Sequence, residues 1–84
     1  MIANTLEERA HNAFRIILTQ DSSKGHMAYA QAYAEAGLSM EGDSLRVQIL
    51  YVLNNLQYWR GEVARRTKKE LREVEKKLAR KFKL

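Results

Sequence analysis

No proline interrupts this chain of 84 residues, and only four glycines, Gly25, Gly37, Gly42 and Gly61, punctuate it. Proline removes a backbone donor and glycine loosens the backbone, so stretches lacking both can wind without interruption. Asn4 or Thr5, followed three residues later by Glu7 or Glu8, is a capping-box signal. Leu6, Ala10, Ala13, Phe14 and Ile17 then share one helix face. Carried along the chain, this reading predicts an all-α fold: a small bundle of about four helices at approximately 5–20, 25–36, 43–60 and 62–83. The chain is short enough to form a single domain over 1–84, near the lower size limit for one unstapled core.

The second segment, "AYAQAYAEAGLS" at 28–39, sets alanine at every second position and so imitates a strand. Alanine covers little of a pleated sheet but is the best helix former, so the helix prevails. Wound at 3.6 residues per turn, Tyr29, Ala32, Tyr33 and Ala36 share a face that Met27, Ala30 and Ala34 extend. Only Gln31 and Glu35 form a distinct polar strip, which predicts a largely buried helix. Its methyl side chains would let neighbours approach to about 8 Å. Gly37 is expected to stop the helix with a positive φ, and Leu38 to fold back on it. "AEAGLS" also resembles the turn of a helix-turn-helix, but Tyr33 stands where that motif wants a small residue and Asp43 where it wants an aliphatic one. The period of about 34 residues that marks tetratricopeptide repeats does not recur.

In the third segment, Leu45, Ile49, Val52, Leu53, Leu56 and Trp59 form a broad apolar face. Val47, Tyr51 and Tyr58 line a second one nearly opposite. A helix apolar on two sides is packed on two sides, which makes Val47, Tyr51 and Tyr58 the candidate oligomer interface.

Charge is distributed unevenly. Residues 60–84 carry a net +7 and residues 1–59 a net −2, within a total of +5. On the fourth helix, Val63, Thr67, Leu71, Val74 and Leu78 make a narrow apolar stripe that docks it. Arg65, Lys68, Lys69, Arg72, Lys76, Arg80 and Lys83 project from the other side as the candidate nucleic-acid-binding residues, along a rise of roughly 27 Å at 1.5 Å per residue. The carboxylates Glu62, Glu70, Glu73 and Glu75 fall toward the margins. The apolar stripe is too narrow for strong membrane insertion.

Several function classes find little support. Without cysteine there is neither a disulfide nor a thiolate metal site, and the two histidines lack metal-ligand spacing. Glu7, His11 and Arg15 stand one turn apart, but no nucleophile or glycine-rich phosphate loop accompanies them, so no catalytic, cofactor or metal site is expected. The opening "MIANTLEERA" is charged where a secretory signal would be apolar, so a cytoplasmic protein with no membrane partner is expected. The composition and patterning point to a non-catalytic helical interaction module that self-associates or binds a protein partner. The alternative is sequence-tolerant binding of nucleic-acid backbone by the fourth helix.

Overall fold

The computed structural model describes residues 5–23 and 25–82. Its four helices are α1 (Leu6–Leu18), α2 (Gly25–Gly37), α3 (Gly42–Asn54) and α4 (Glu62–Lys81). No strand is present among the described residues. The expected all-α bundle is thus the observed architecture. Of the two expected caps for α1, Thr5 is the one that acts: its side chain accepts from the Glu8 N–H at 3.0 Å and its hydroxyl donates to the Glu8 carboxylate at 3.1 Å. Asn4 lies outside the described residues. The N-cap of α3 is Glu41, without a side-chain cap bond, and neither Asp43 nor Ser44 fills that position. Asp43 sits in the first turn instead and pairs with Arg46 at 2.7 Å.

Consecutive helices pack side by side and α4 closes the ring against α1, while the α2 and α4 backbones stand apart across the core. Neighbours run antiparallel. His11, early in α1, donates from Nε2 to the Met40 carbonyl beyond the end of α2, whereas Gln31 of α2 reaches Ile17 and Gln20 at the end of α1. Likewise Gly42 at the start of α3 lies against Phe82 at the end of α4, and Lys68 near the start of α4 reaches past the end of α3. The core at the centre of this ring comprises Phe14 and Ile17 from α1, Leu45, Ile49 and Val52 from α3, Leu56, and Leu71, Val74 and Leu78 from α4. From α2 come only Met27, Ala30 and Ala34.

Two expectations are corrected here. The first concerns α2, which is not largely buried. Its inward row is Met27, Ala30, Ala34 and Gly37, at core-facing spacing. Tyr29, Ala32, Tyr33 and Ala36, assigned to the same apolar face, are exposed. The reason is Gly37: it is the buried last residue of α2, and a β-carbon there would collide with the Phe14 ring. Close approach to α1, rather than a positive φ, is its role; the positive-φ glycines are Gly42 at 65° and Gly61 at 111°.

The second correction concerns α3, which ends at Asn54 and not near residue 60. Asn55 folds its amide back onto the Tyr51 carbonyl at 2.9 Å, and its backbone closes onto Val52 at 3.0 Å, a tightened last turn. Leu56 and Trp59 then continue as a turn, with Trp59 donating its N–H to the Leu56 carbonyl at 3.1 Å. Tyr58 therefore belongs to the α3–α4 connection and not to a helix face.

Candidate interaction surfaces

Two surfaces stand out, and they differ in chemistry. The α4 surface depends on where its carboxylates go. Glu70 and Glu73 turn toward α1, where Arg9 grips them: its Nε donates to Glu70 Oε2 at 2.8 Å, and its Nη2 donates to Glu70 Oε1 at 2.8 Å and Glu73 Oε1 at 3.0 Å. A bidentate arginine–carboxylate pair is among the stronger charged contacts. These hydrogen bonds hold both carboxyls below their usual range and push the Arg9 guanidinium further up. On the opposite flank, Glu75 faces Arg46 of α3 at 3.6 Å. Glu62 is taken by Arg65 at 2.8 Å. Lys77 lies 3.6 Å from Glu73.

Every carboxylate of α4 is thereby engaged, and the outward cations are left over. Lys69, Arg72, Lys76 and Arg80 are exposed and enter no ion pair among the described residues. The same holds for Arg66, which the sequence reading did not include.

Three of the seven expected cations need correction or comment. Lys68 does not project outward; its ammonium donates to the Leu56 carbonyl at 3.0 Å and the Trp59 carbonyl at 2.7 Å. It closes the chain past the end of α3, where carbonyls lack helical partners. Burial first, and then the charges of Arg72 and Arg60, push its pKa down. Arg65 is exposed but engaged with Glu62. Lys83 lies outside the described residues.

The second surface lies on α2 and α3. Tyr33 and Tyr51 stack across the two helices with ring centroids 5.7 Å apart and planes inclined by 28°, within the range for offset aromatic pairs. Tyr29 is 66% exposed, Tyr51 51% and Leu50 43%, high values for side chains of this size in so small a protein. Tyr58, 70% exposed, meets His26 edge-on at 5.6 Å and so joins the α3–α4 turn to the start of α2. Val47 is half-buried. The structure thus keeps Val47 and Tyr51 on one helix, places Tyr58 past its end, and adds Tyr33, stacked on Tyr51, and Tyr29 one turn before it on α2. The missed tyrosines were visible in the sequence, but an alanine-rich helix offers no contrast by which to tell its inner face from its outer one.

Glu7, His11 and Arg15, one turn apart in sequence, are not bonded to one another. Rather than pairing with Glu7, His11 bonds to the Met40 carbonyl at 2.9 Å, and Arg15 bonds to Asn12 at 2.8 Å. Among the described residues no group of three or more potential metal ligands converges. A depression of about 770 Å³ lies between α1 and α4, walled by Ile16, Val63, Ala13 and Thr67, but the Arg9 and Glu70 side chains at its margin are bonded to each other. None of the helices among the described residues is long and apolar enough to cross a membrane. Comparison with protein-family models, curated proteins and solved structures finds no match to the chain.

Proposed function

We propose that this chain is a non-catalytic helical interaction module that self-associates, with a second copy covering the α2/α3 face. The carrying observation is the exposed aromatic group of Tyr29, Tyr33 and Tyr51, already partly ordered by the Tyr33–Tyr51 stack. Exposed side chains of this kind gain most from being covered, at about 25 cal/mol per Å² of apolar surface removed from water.

Charge selects the occupant. Copies of a chain with net charge +5 repel one another, and most strongly where α4 would meet α4. α2 carries no lysine or arginine and a single carboxylate, Glu35, while the one arginine of α3 is held by Asp43 and Glu75. Two copies can therefore meet across α2/α3 without opposing cations. In a two-fold arrangement each tyrosine pair would lie against its own counterpart. A pair of 13-residue helices presents a footprint on the order of 400 Å² in projection. That is at the small end for specific interfaces, and a weak, concentration-dependent dimer is expected.

Sedimentation equilibrium over roughly a hundredfold range of concentration tests the proposal, because a dimer obeys mass action. The average mass should rise toward twice that of the chain. Tyr51→Lys and Tyr29→Lys should keep the helical circular dichroism, since both side chains are exposed, while holding the mass at that of one chain. A wild-type mass that stays monomeric throughout would refute the reading.

A further inference from the structure

A solvated helix usually intersperses its charges, and α4 does so in sequence: it contains four carboxylates among its cations. Folding separates the two signs. Arg9 draws Glu70 and Glu73 to one flank, Arg46 draws Glu75 to the other, and Arg65 takes Glu62 near the N-terminus. Arg66 borders the depression toward α1, and what remains beyond it on the outward side is Lys69, Arg72, Lys76 and Arg80 in succession, a row of about 16.5 Å at 1.5 Å per residue. We propose that this row binds nucleic-acid backbone without regard to sequence.

Three observations favour that partner. The row is linear and dense: duplex DNA carries one charge per about 1.7 Å of axis, so the row faces roughly ten phosphate charges and can displace their condensed counterions. Two of its four members are arginines, whose planar forks can hold phosphate oxygens in pairs. The field beside it is positive, since burial first and then the charges of Arg72 and Arg60 depress the pKa of the neighbouring Lys68. A membrane surface is a poorer fit. The exposed large apolar side chains of the α4 region are Val63 and Phe82, one at each end of the helix and not along the row. Such a helix has nothing to insert between lipid chains. This binding does not depend on self-association, which uses the α2/α3 face.

The test is fluorescence anisotropy of the full chain against a labelled duplex of arbitrary sequence and against the matching single strand. With about four phosphates neutralised, affinity should fall roughly a hundredfold between about 50 and 200 mM salt. The triple variant Lys69→Gln, Arg72→Gln, Lys76→Gln should lose at least tenfold at the lower salt and flatten the salt dependence, with unchanged helicity. A control of equal net charge, Arg15→Gln, Ser22→Glu, Ser39→Glu, should lose less than about threefold, because charge altered away from the row acts only through the general field. Preference for duplex or single strand identifies which form the row accepts. The proposal is overturned if neither form binds at the lower salt or if the two triple variants weaken binding equally. It also fails if vesicles containing phosphatidylserine bind the chain more tightly than either nucleic acid does.

Discussion

α2 and α4 occupy opposite corners of the bundle, touch the same two neighbours, and are held in place by different chemistry. α2 contributes small residues to the core and is fastened by neutral amides: Gln31 donates to the carbonyls of Ile17 and Gln20, and the buried Gln48 donates to the Tyr33 carbonyl at 2.8 Å. α4 contributes large aliphatic residues and is fastened by ions, with Arg9 on one side and Arg46 on the other. The difference extends to the surface. Neutral fastening leaves α2 free to display tyrosines, whereas ionic fastening consumes the carboxylates of α4 and leaves its surplus positive.

The contrast can be broken first in the core, where the two helices should fail in opposite ways. Leu71→Ala removes atoms from a fully buried side chain of α4, and should cost about 2–5 kcal/mol in chemical denaturation. On α2 the damaging change is to add an atom: Gly37→Ala drives a methyl into Phe14 and should cost about 1–3 kcal/mol. If Gly37→Ala were neutral or stabilising, the close approach of α1 and α2 would not be what orients α2.

A smaller effect separates fastening from binding within α4 itself. Lys68→Met removes the bonds to the Leu56 and Trp59 carbonyls and should cost about 1–2 kcal/mol of stability. Nucleic-acid affinity should fall by less than about threefold, because the ammonium is turned away from the row. A large loss of affinity with intact stability would return Lys68 to the binding face.

The smallest effect concerns acid. Glu70 and Glu73 titrate below their usual value because Arg9 bonds to their charged forms. The unfolded chain then takes up protons first, so the stability these groups contribute is present above the ordinary carboxyl value of 4.5 and is lost as pH falls through the lower folded value. In thermal melts, the gap between wild type and Arg9→Met should close as pH is lowered below about 4.5, and narrow with salt. The corresponding gap for Gln48→Leu should change little, because an amide does not titrate. Parallel behaviour of the two variants would erase the distinction between ionic and neutral fastening.

The cap at Thr5, the starts of α2, α3 and α4 to within a residue, and the docking stripe of α4 were legible in the sequence because each is local or periodic. The stripe residues Thr67, Leu71, Val74 and Leu78 are buried as expected, but Val63 is 47% exposed. The end of α3 was not legible: Leu56, Tyr58 and Trp59 continue its apolar character, and the lysine that donates to the Leu56 and Trp59 carbonyls stands 12 residues beyond Leu56. Nor was the orientation of α2, since alanines lie all around it and periodicity gives no preference.

What the sequence by itself determined was that the chain would be helical, where its helices would start, and that the last of them would be basic. These follow from propensity, capping and composition, which act within a few residues. Tertiary structure decided which way each helix faces. Phe14 meets α2 at Gly37, where there is no β-carbon to obstruct it, turning Ala30 and Ala34 inward and the tyrosines outward. Arg9 and Arg46 reach across to α4 and sort its charges, because an ion pair between helices depends on which side chains the packed core brings within a few ångströms of one another.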